Sequence, residues 1–399
     1  MATSSLIKTI TTFSLFQGFS PEEVWKILAS GKVVQLKPGE ILISPGTAND
    51  TLYLLIDGEL RVVLEKDGVE VSIPILPGEC LGEMSLVVGG PTTALAVAHE
   101  LSRVLFISED TFWNQLAVTR NGVRNLLSMM AARLQRNNDA LIEKVEEQIK
   151  YQLLEKELET AGKIQSNTVP DGNHLFPDRP EVDAFALIHQ ARDVGGDFYD
   201  ALALDDDHLY MAIGDVSGKG MPAALFMMRI FTSLRLLIGN KTPFEDVLPS
   251  VNNMLARKNE DMMFVSIFAG VLNVRTGLFR YVNAGHNPPF AALGGDDFKL
   301  LNLPKGPLLG ILDRAKFPVT ELKLAPGDAL LLYTDGISEA TNSDRLMFGE
   351  DRIRLALNRE YHELMSGLVL SLKNAVETFV NTAPQHDDYT LFALRYHGH

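Results

Sequence analysis

From Val123 to Ser166 the chain contains no proline and a single glycine, Gly162. Nothing in such a stretch stops a helix, and at 1.5 Å per residue it would extend roughly 65 Å. A chain of 399 residues is also too long for one ordinary core. Two folded domains with a helical connector follow, with boundaries at 1–122, 123–166 and 167–399. Within the connector Leu127, Met130, Leu134, Leu141, Val145, Leu154 and Leu158 recur at spacings mostly of 3 and 4, and seven basic residues balance seven acidic ones. Asn137, Lys144 and Gln148 interrupt the heptads, so the apolar seam is imperfect. Such a helix either packs, solvated, on its own domains or forms a two-stranded coiled coil. The coiled coil is the preferred reading, and it predicts a homodimer.

Composition removes several function classes. A formal charge of −15 argues against nucleic acid as a partner, because binding phosphates requires cations that displace counterions. The charge-balanced helix also lacks the basic recognition surface of a transcription regulator. No apolar run approaches the roughly 20 residues of a membrane span, and MATSSLIKTITTFSLF lacks the basic start and apolar stretch of a signal peptide. The single cysteine, Cys80, excludes an intrachain disulfide or a cysteine-cluster metal site. A cytoplasmic protein is expected.

The two flanks are patterned differently. Between about 37 and 107 short β-type runs such as TLYLLI, LRVVLE and RVLFI alternate with glycine turns, which implies a small sandwich or barrel. Helices are expected at PEEVWKILASG and SEDTFWNQLAV, the second capped by Ser108. Asn167 to Pro180, with three prolines, reads as a linker. Beyond it, DAFALIH, LYMAIGDV, SIFAGVLNV, LFRYVNAG, ALLLYTDG and TLFALRY are apolar on nearly every residue. Strands of that kind have both faces covered, which stacked sheets with helices outside would satisfy. Helices are expected at MPAALFMMRIFTSLRLLIG, at PFEDVLPSVNNMLARK, and as one run from GEDRIRLALNREY into ELMSGLVLSLKNAVETFV.

Four acidic motifs lie where a strand ends or a turn begins: Gly195-Gly196-Asp197-Phe198-Tyr199-Asp200, Gly214-Asp215-Val216-Ser217-Gly218-Lys219-Gly220, Thr334-Asp335-Gly336 and Asp387-Asp388-Tyr389-Thr390. An Asp-Gly pair alone is more often a turn than a ligand, and Asp205 to Asp207 read as a solvated loop. Converging carboxylates repel one another unless cations neutralise them, and as hard oxygen donors they suit Mg²⁺ or Mn²⁺. Two ions sharing a carboxylate can lower the pKa of a shared water enough for attack on phosphorus.

Those motifs, with RYVNAGHNPP, resemble the metal-dependent protein phosphatase superfamily, in the branch of the stage II sporulation E and sigma-factor-regulating phosphatases. The resemblance covers about residues 160 to 397 and implies a β-sandwich flanked by helices with two Mn²⁺ or Mg²⁺ ions at one end. It implies that Asp215 bridges the ions, that the Val216 carbonyl completes a shell, and that Asp335 and Asp387 are direct ligands. Asp197 would ligate or hold metal-bound waters, Asp388 would support the ligands, and Arg192 would bind phosphate through its planar fork. Lys219 and His286 are further candidates, the first as an anion contact, the second as an acid or a structural turn residue. Ser217 is no candidate nucleophile, since no paired base is identifiable. The implied activity is hydrolysis of phosphoserine or phosphothreonine on a partner protein, an anti-sigma-factor antagonist of the STAS type. A non-catalytic phosphoprotein-binding module and a hydrolase of small phosphate esters are the alternatives.

Residues from about 12 to 120 resemble a cyclic nucleotide-binding domain, on LKPGEILISPGTANDTLYLLIDGELRVV and ILPGECLGEMSLVVGGPTTALAVA. The resemblance implies an eight-stranded roll in which Gly82, Glu83 and Ser85 keep the ligand cassette, with Thr92 and Thr93 beside it. Thr92 stands where the family has its phosphate-binding arginine. Losing that charge-assisted contact costs roughly 1.5–3 kcal/mol, so the ligand is a weakly held cyclic nucleotide or another small molecule, unless the domain is purely structural. The whole is a multidomain α+β chain: N-terminal β-roll, long helix, C-terminal α-β-β-α sandwich. A signal would pass through the helix, with Gln165 and the Thr168-Val169-Pro170 turn as candidate switch elements.

Overall fold

The computed structural model describes residues 2–66, 69–257, 259–304, 306–359, 364–385 and 387–399. The chain divides into two compact units, Met1–Ile149 and Lys150–His399. One helix, Arg120–Ser166, runs through the division. It starts three residues earlier than its sequence suggests, and in that added turn the glycine at 122 lies so close to the Leu116 carbonyl that a Cβ would clash. Leu126 and Met129 bury in the core of the first unit, whereas Leu127, Leu134 and Leu141, seven residues apart, are each about 60% exposed.

The first unit holds two antiparallel four-stranded sheets. One is ordered Lys32–Leu36, Ser102–Ser108, Thr51–Asp57, Cys80–Leu81; the other Ile41–Ile43, Leu95–Ala98, Leu60–Lys66, Val69–Ile75. Helix Pro21–Ser30 begins with a reciprocal cap between Ser20 and Glu23, and Ser108 caps the segment after the last strand as expected. That segment is one α turn, Glu109–Thr111, followed by a π turn, Phe112–Leu116, rather than one regular helix.

In the second unit two antiparallel five-stranded sheets stack. The first is ordered Phe198–Ala203, His208–Val216, Val265–Asn273, Leu278–Ala284, Thr320–Lys323; the second Lys299–Leu300, Phe290–Ala292, Ala329–Tyr333, Tyr389–Tyr396, Val182–His189. Strand alternation explains why both faces are apolar. Leu209, Met211 and Ile213 pack between the sheets against Leu330, Leu332 and Phe392. Tyr210 and Ala212 face the outer helices Met221–Gly239 and Phe244–Ala256. Leu331, Tyr333 and Leu391 face the opposite pair, Gly349–Leu357 and Met365–Val380. The α-β-β-α order expected from the sequence is the one observed.

Three local expectations change. Gly349–Leu357 and Met365–Val380 are separate helices: the Asn358 side chain bonds both backbone groups of Phe298 and ends the first, and the expected junction at 360–363 lies outside the described residues. The three-proline segment is packed rather than free: Leu175 and Phe176 enter the layer between the sheets, and the Tyr199 hydroxyl donates to the Pro170 carbonyl at 2.6 Å. Met221–Gly239 is long and apolar enough to cross a membrane, but Met227, Ile230, Phe231 and Leu234 are buried on the sheet.

Candidate active site

The antiparallel order of both sheets sets the place where the acidic motifs meet. Phe198 pairs with Gly214, so Asp197 enters its strand beside the end of the strand that carries Asp215. Tyr333 pairs with Leu391, so Asp335 leaves one strand beside the place where Asp387 and Asp388 enter the next. Thr334 and Thr390, both fully buried, then tie the sheets together. Their hydroxyls donate to Asp197 Oδ2 at 2.7 and 2.8 Å.

Glycines let these backbones approach. A Cβ on Gly195 would stand 2.2 Å from Asp388 Oδ2, one on Gly196 2.8 Å from the Val216 carbonyl oxygen, and one on Gly336 1.9 Å from the Asp388 carbonyl oxygen. Asp388 accepts from the backbone N–H of Ala191 at 2.8 Å and of Gly196 at 2.9 Å. Its carboxylate therefore staples the Arg192–Gly196 loop to the strand end.

The electrostatics follow from this crowding. Burial, then the neighbouring Asp335, pushes the Asp215 carboxyl up to about 7. Burial and Asp215 hold Asp197 well above the carboxylate range. Asp335 is raised by burial and by Glu339 and Asp387, and Asp388 by burial, partly offset by the two N–H groups it accepts from. Among the described residues no three of these side chains form a finished ion cage as they stand. The acids instead take partners within the protein, the threonines for Asp197 and Lys219 Nζ, 2.8 Å from Asp387 Oδ2. The donor set still fits Mg²⁺ or Mn²⁺: it is all oxygen, converges from four chain segments, and carries negative charge the protein only partly offsets.

Of the expected residues, Asp197, Asp215, Asp335, Asp387 and Asp388 come together, and Val216 turns its carbonyl toward the Gly196 loop. Arg192 is exposed, and its Nη1 lies 3.8 Å from where a Cβ on Gly220 would be, so its guanidinium reaches the turn that carries Lys219. Asp200 faces away, in a bidentate pair with Arg235 beneath the helix Met221–Gly239. His286 is buried, accepts the Asn283 side chain at its turn, and bonds Ser266 Oγ through Nδ1 at 2.8 Å. Burial lowers its pKa to about 4, so it is a neutral turn histidine. Sequence reasoning missed Thr334, Thr390 and Glu339, although the two threonines stood inside quoted motifs and Glu339 lies three residues beyond one.

In the N-terminal unit Gly82, Glu83, Ser85, Thr92 and Thr93 line one cavity of about 320 Å³. Thr92 Oγ1 is committed to the Ser44 carbonyl at 2.5 Å and also contacts Thr47. Arg133, which the sequence did not flag, reaches in from the long helix and pairs with the buried Glu83 at 3.1 Å.

The family model of stage II sporulation protein E matches residues 205–397, and that of the cyclic nucleotide-binding domain residues 33–118. Residues 205–397 are thus similar to the stage II sporulation E family, in a domain with the PP2C-type phosphatase fold. Protein IcfG of Synechocystis is 31% identical over 265 residues, 60% of this chain and 41% of its own length. Phosphoserine phosphatase RsbU of Bacillus subtilis is 28% identical over 246 residues, 61% of this chain and 71% of its own. The phosphatase domain shares its fold with the SiaA-PP2C domain of Pseudomonas aeruginosa at a TM-score of 0.55 and 20% identity, which covers 62% of this chain and 98% of that one. The family match begins after Asp197, whose place beside Asp215 comes from strand pairing.

The raised carboxyls predict a pH dependence. A carboxyl that holds its proton more tightly in the fold than in the unfolded chain stabilises the fold at low pH. That contribution fades as pH climbs from about 4, the ordinary carboxyl range, to the value of about 7 reached by Asp215. The melting temperature of EDTA-treated protein is expected to fall between pH 5 and pH 8, and Asp215→Asn to flatten the fall. An unchanged slope in that variant would mean the acids do not crowd.

Proposed function

We propose that this chain is a metal-dependent phosphatase acting on phosphoserine or phosphothreonine of a partner protein, under control of its N-terminal domain. The supporting observation is the convergence of Asp197, Asp215, Asp335 and Asp387 at the mouth of the sandwich, where burial and then the neighbouring charges raise the proton affinities of Asp197, Asp215 and Asp335. Asp215 and the Val216 carbonyl would hold two Mn²⁺ or Mg²⁺ ions together with Asp335 and Asp387, and Asp197 would complete or orient the set. Bound there, such ions supply Lewis acidity and a water acidic enough to attack phosphorus at neutral pH.

The chain's own groups do the positioning. Arg192 presents a planar fork suited to two phosphoryl oxygens. Asp388 fixes the loop between Arg192 and Asp197 through its two backbone contacts. Ser217 is occupied on both sides by Phe264, donating its N–H and accepting through Oγ, which leaves the nucleophile's role to water. The substrate reading, a STAS-type antagonist in the cytoplasm, rests on the likeness to a phosphoserine phosphatase. Hydrolysis of small phosphate esters alone, or binding without turnover, is the competing outcome. Manganese-dependent release of phosphate is expected to fall more than about a hundredfold in Asp215→Asn, beyond the loss typical of a supporting partner. Activity retained in that variant would refute the assignment.

Residues 1–122 are assigned as the sensor, 123–166 as the relay and 167–399 as the catalytic part. Thr92 offers its cavity no cation for a cyclic phosphate, so a small ligand other than tightly held cAMP is the reading; micromolar cAMP or cGMP heats in calorimetry would reverse it. The exposed Leu127, Leu134 and Leu141 favour pairing of two chains along the helix, and a solution mass of one 44.0 kDa chain would exclude that.

At the relay's end Gln165 is buried and bonds both backbone groups of Gly195, two residues before Asp197. Gly162 packs so closely on the Asp193 carbonyl that a Cβ would stand 2.0 Å from it. Gln165→Ala is expected to raise the Mn²⁺ concentration for half-maximal rate by about tenfold or more, as loss of a supporting contact does. An unaltered Mn²⁺ requirement would sever the helix from the site.

A further inference from the structure

Beside the carboxylates a second feature opens that the chemistry does not use. A cleft of about 430 Å³ shares Lys219, Glu339 and Asp387 with the site. Its floor is Val376 and Val380, from the last turns of the helix Met365–Val380, and its far wall is Ala383 and Pro384. The near wall is a tight hairpin closed by the Thr341–Met347 bridge and the bond from Phe348 N–H to the Ala340 carbonyl. At this hairpin Leu346 and Met347 are 55% and 58% exposed. Met347 lines the cleft, so an exposed apolar side chain stands at its edge beside the carboxylates, next to the exposed Leu346.

We propose that this cleft is a specificity pocket that takes an apolar side chain of the phosphoprotein, close in sequence to the phosphorylated residue. The inference rests on the phosphatase reading and adds the substrate's sequence chemistry to it. Continuity with Asp387 and Lys219 identifies the occupant as the segment already held by its phosphate. Charge narrows the choice. Glu339 lies near enough to raise Asp335, Asp387 stands at the mouth, and Glu377 lines the wall paired with Lys373 at 3.0 Å. An acidic flanking residue would be repelled there, whereas a leucine- or methionine-sized chain would cover Val380 and Met347. Neither cleft wall takes part in holding the phosphate, so the pocket can act on KM without touching the hydrolytic step.

The test uses the full chain with Mn²⁺ and a set of phosphoserine peptides. Each carries leucine or aspartate at one of the three positions on either side of the phosphoserine. One position is expected at which leucine raises kcat/KM over aspartate by about tenfold or more, the discrimination an apolar pocket affords. That preference is expected to vanish in Met347→Asp and in Ala383→Glu. Both variants should keep the wild-type melting temperature and the wild-type rate on p-nitrophenyl phosphate. Hydrolysis of p-nitrophenyl phosphate with no positional preference, or a preference that survives both variants, overturns the cleft. Absence of manganese-dependent turnover on either kind of substrate defeats the phosphatase reading instead, and the cleft with it.

Discussion

The second domain is organised around a repulsion. Antiparallel pairing brings four carboxyl-bearing chain segments to one end of two stacked sheets, and glycines at 195, 196 and 336 remove the side chains that would keep them apart. Burial then makes each negative charge harder to hold. The protein offsets part of this with neutral donors: two threonine hydroxyls on Asp197 and two backbone N–H groups on Asp388. Only Lys219, on Asp387, brings a positive charge by direct contact among the described ion pairs of these acids. Donors of this kind orient carboxylates without neutralising them. The end of the sandwich is thus rich in carboxylate oxygens and short of positive charge.

The same arrangement couples the site to the fold's stability. Thr334 follows one strand of a sheet and Thr390 lies in its neighbour, while Asp197 immediately precedes an edge strand of the other sheet. The Asp197 carboxyl is therefore a cross-sheet tie as well as part of the acidic cluster. Above it the layer is apolar, with Phe268, Phe279 and Tyr281 packed between the sheets at centroid separations of 5.2 to 6.3 Å. A well-packed interior transmits displacement instead of absorbing it. Movement at the sandwich mouth has to be taken up by the loops, and the 191–196 loop is the one that carries Arg192 to the turn of Gly220.

Much of this was legible in the sequence because periodicity and motif spacing are local signals. The long strands of the sandwich, the helix Met221–Gly239 and the acidic clusters all announce themselves within a dozen residues. What stayed hidden depends on partners far away in the chain. Short strands such as Phe290–Ala292 and Thr320–Lys323 exist only through their neighbours. The bonds of Thr334 and Thr390 to Asp197 join residues 137 and 193 positions apart. Asp200 sits in the same motif as Asp197 yet turns to Arg235, because neighbouring strand positions face opposite sides of a sheet. The prolines at 170, 177 and 180 looked like a loose linker, since nothing local shows that Phe176 will be buried between two sheets.

The long helix is held by polar contacts at two places, and the contrast between them is instructive. Arg133 enters the N-terminal cavity to pair with Glu83 and donate to the Cys80 carbonyl, and its Nε has no partner among the described residues. Gln165 satisfies both its amide groups on the Gly195 loop and Gln190. The first anchor is therefore electrostatically incomplete and sits in a space large enough for a small molecule; the second is complete and closed. Because the Arg133–Glu83 pair is buried, separating it would leave uncompensated charge, so a molecule entering that cavity would have to satisfy both groups. Between them, Leu134, Leu141, Ile142, Val145 and Ile149 are exposed, so the intervening turns have no core of their own to hold them in place. The two ends of the helix are thus held by contacts of different kinds, a buried ion pair with one unpartnered N–H at Glu83 and a closed amide pairing at Gly195.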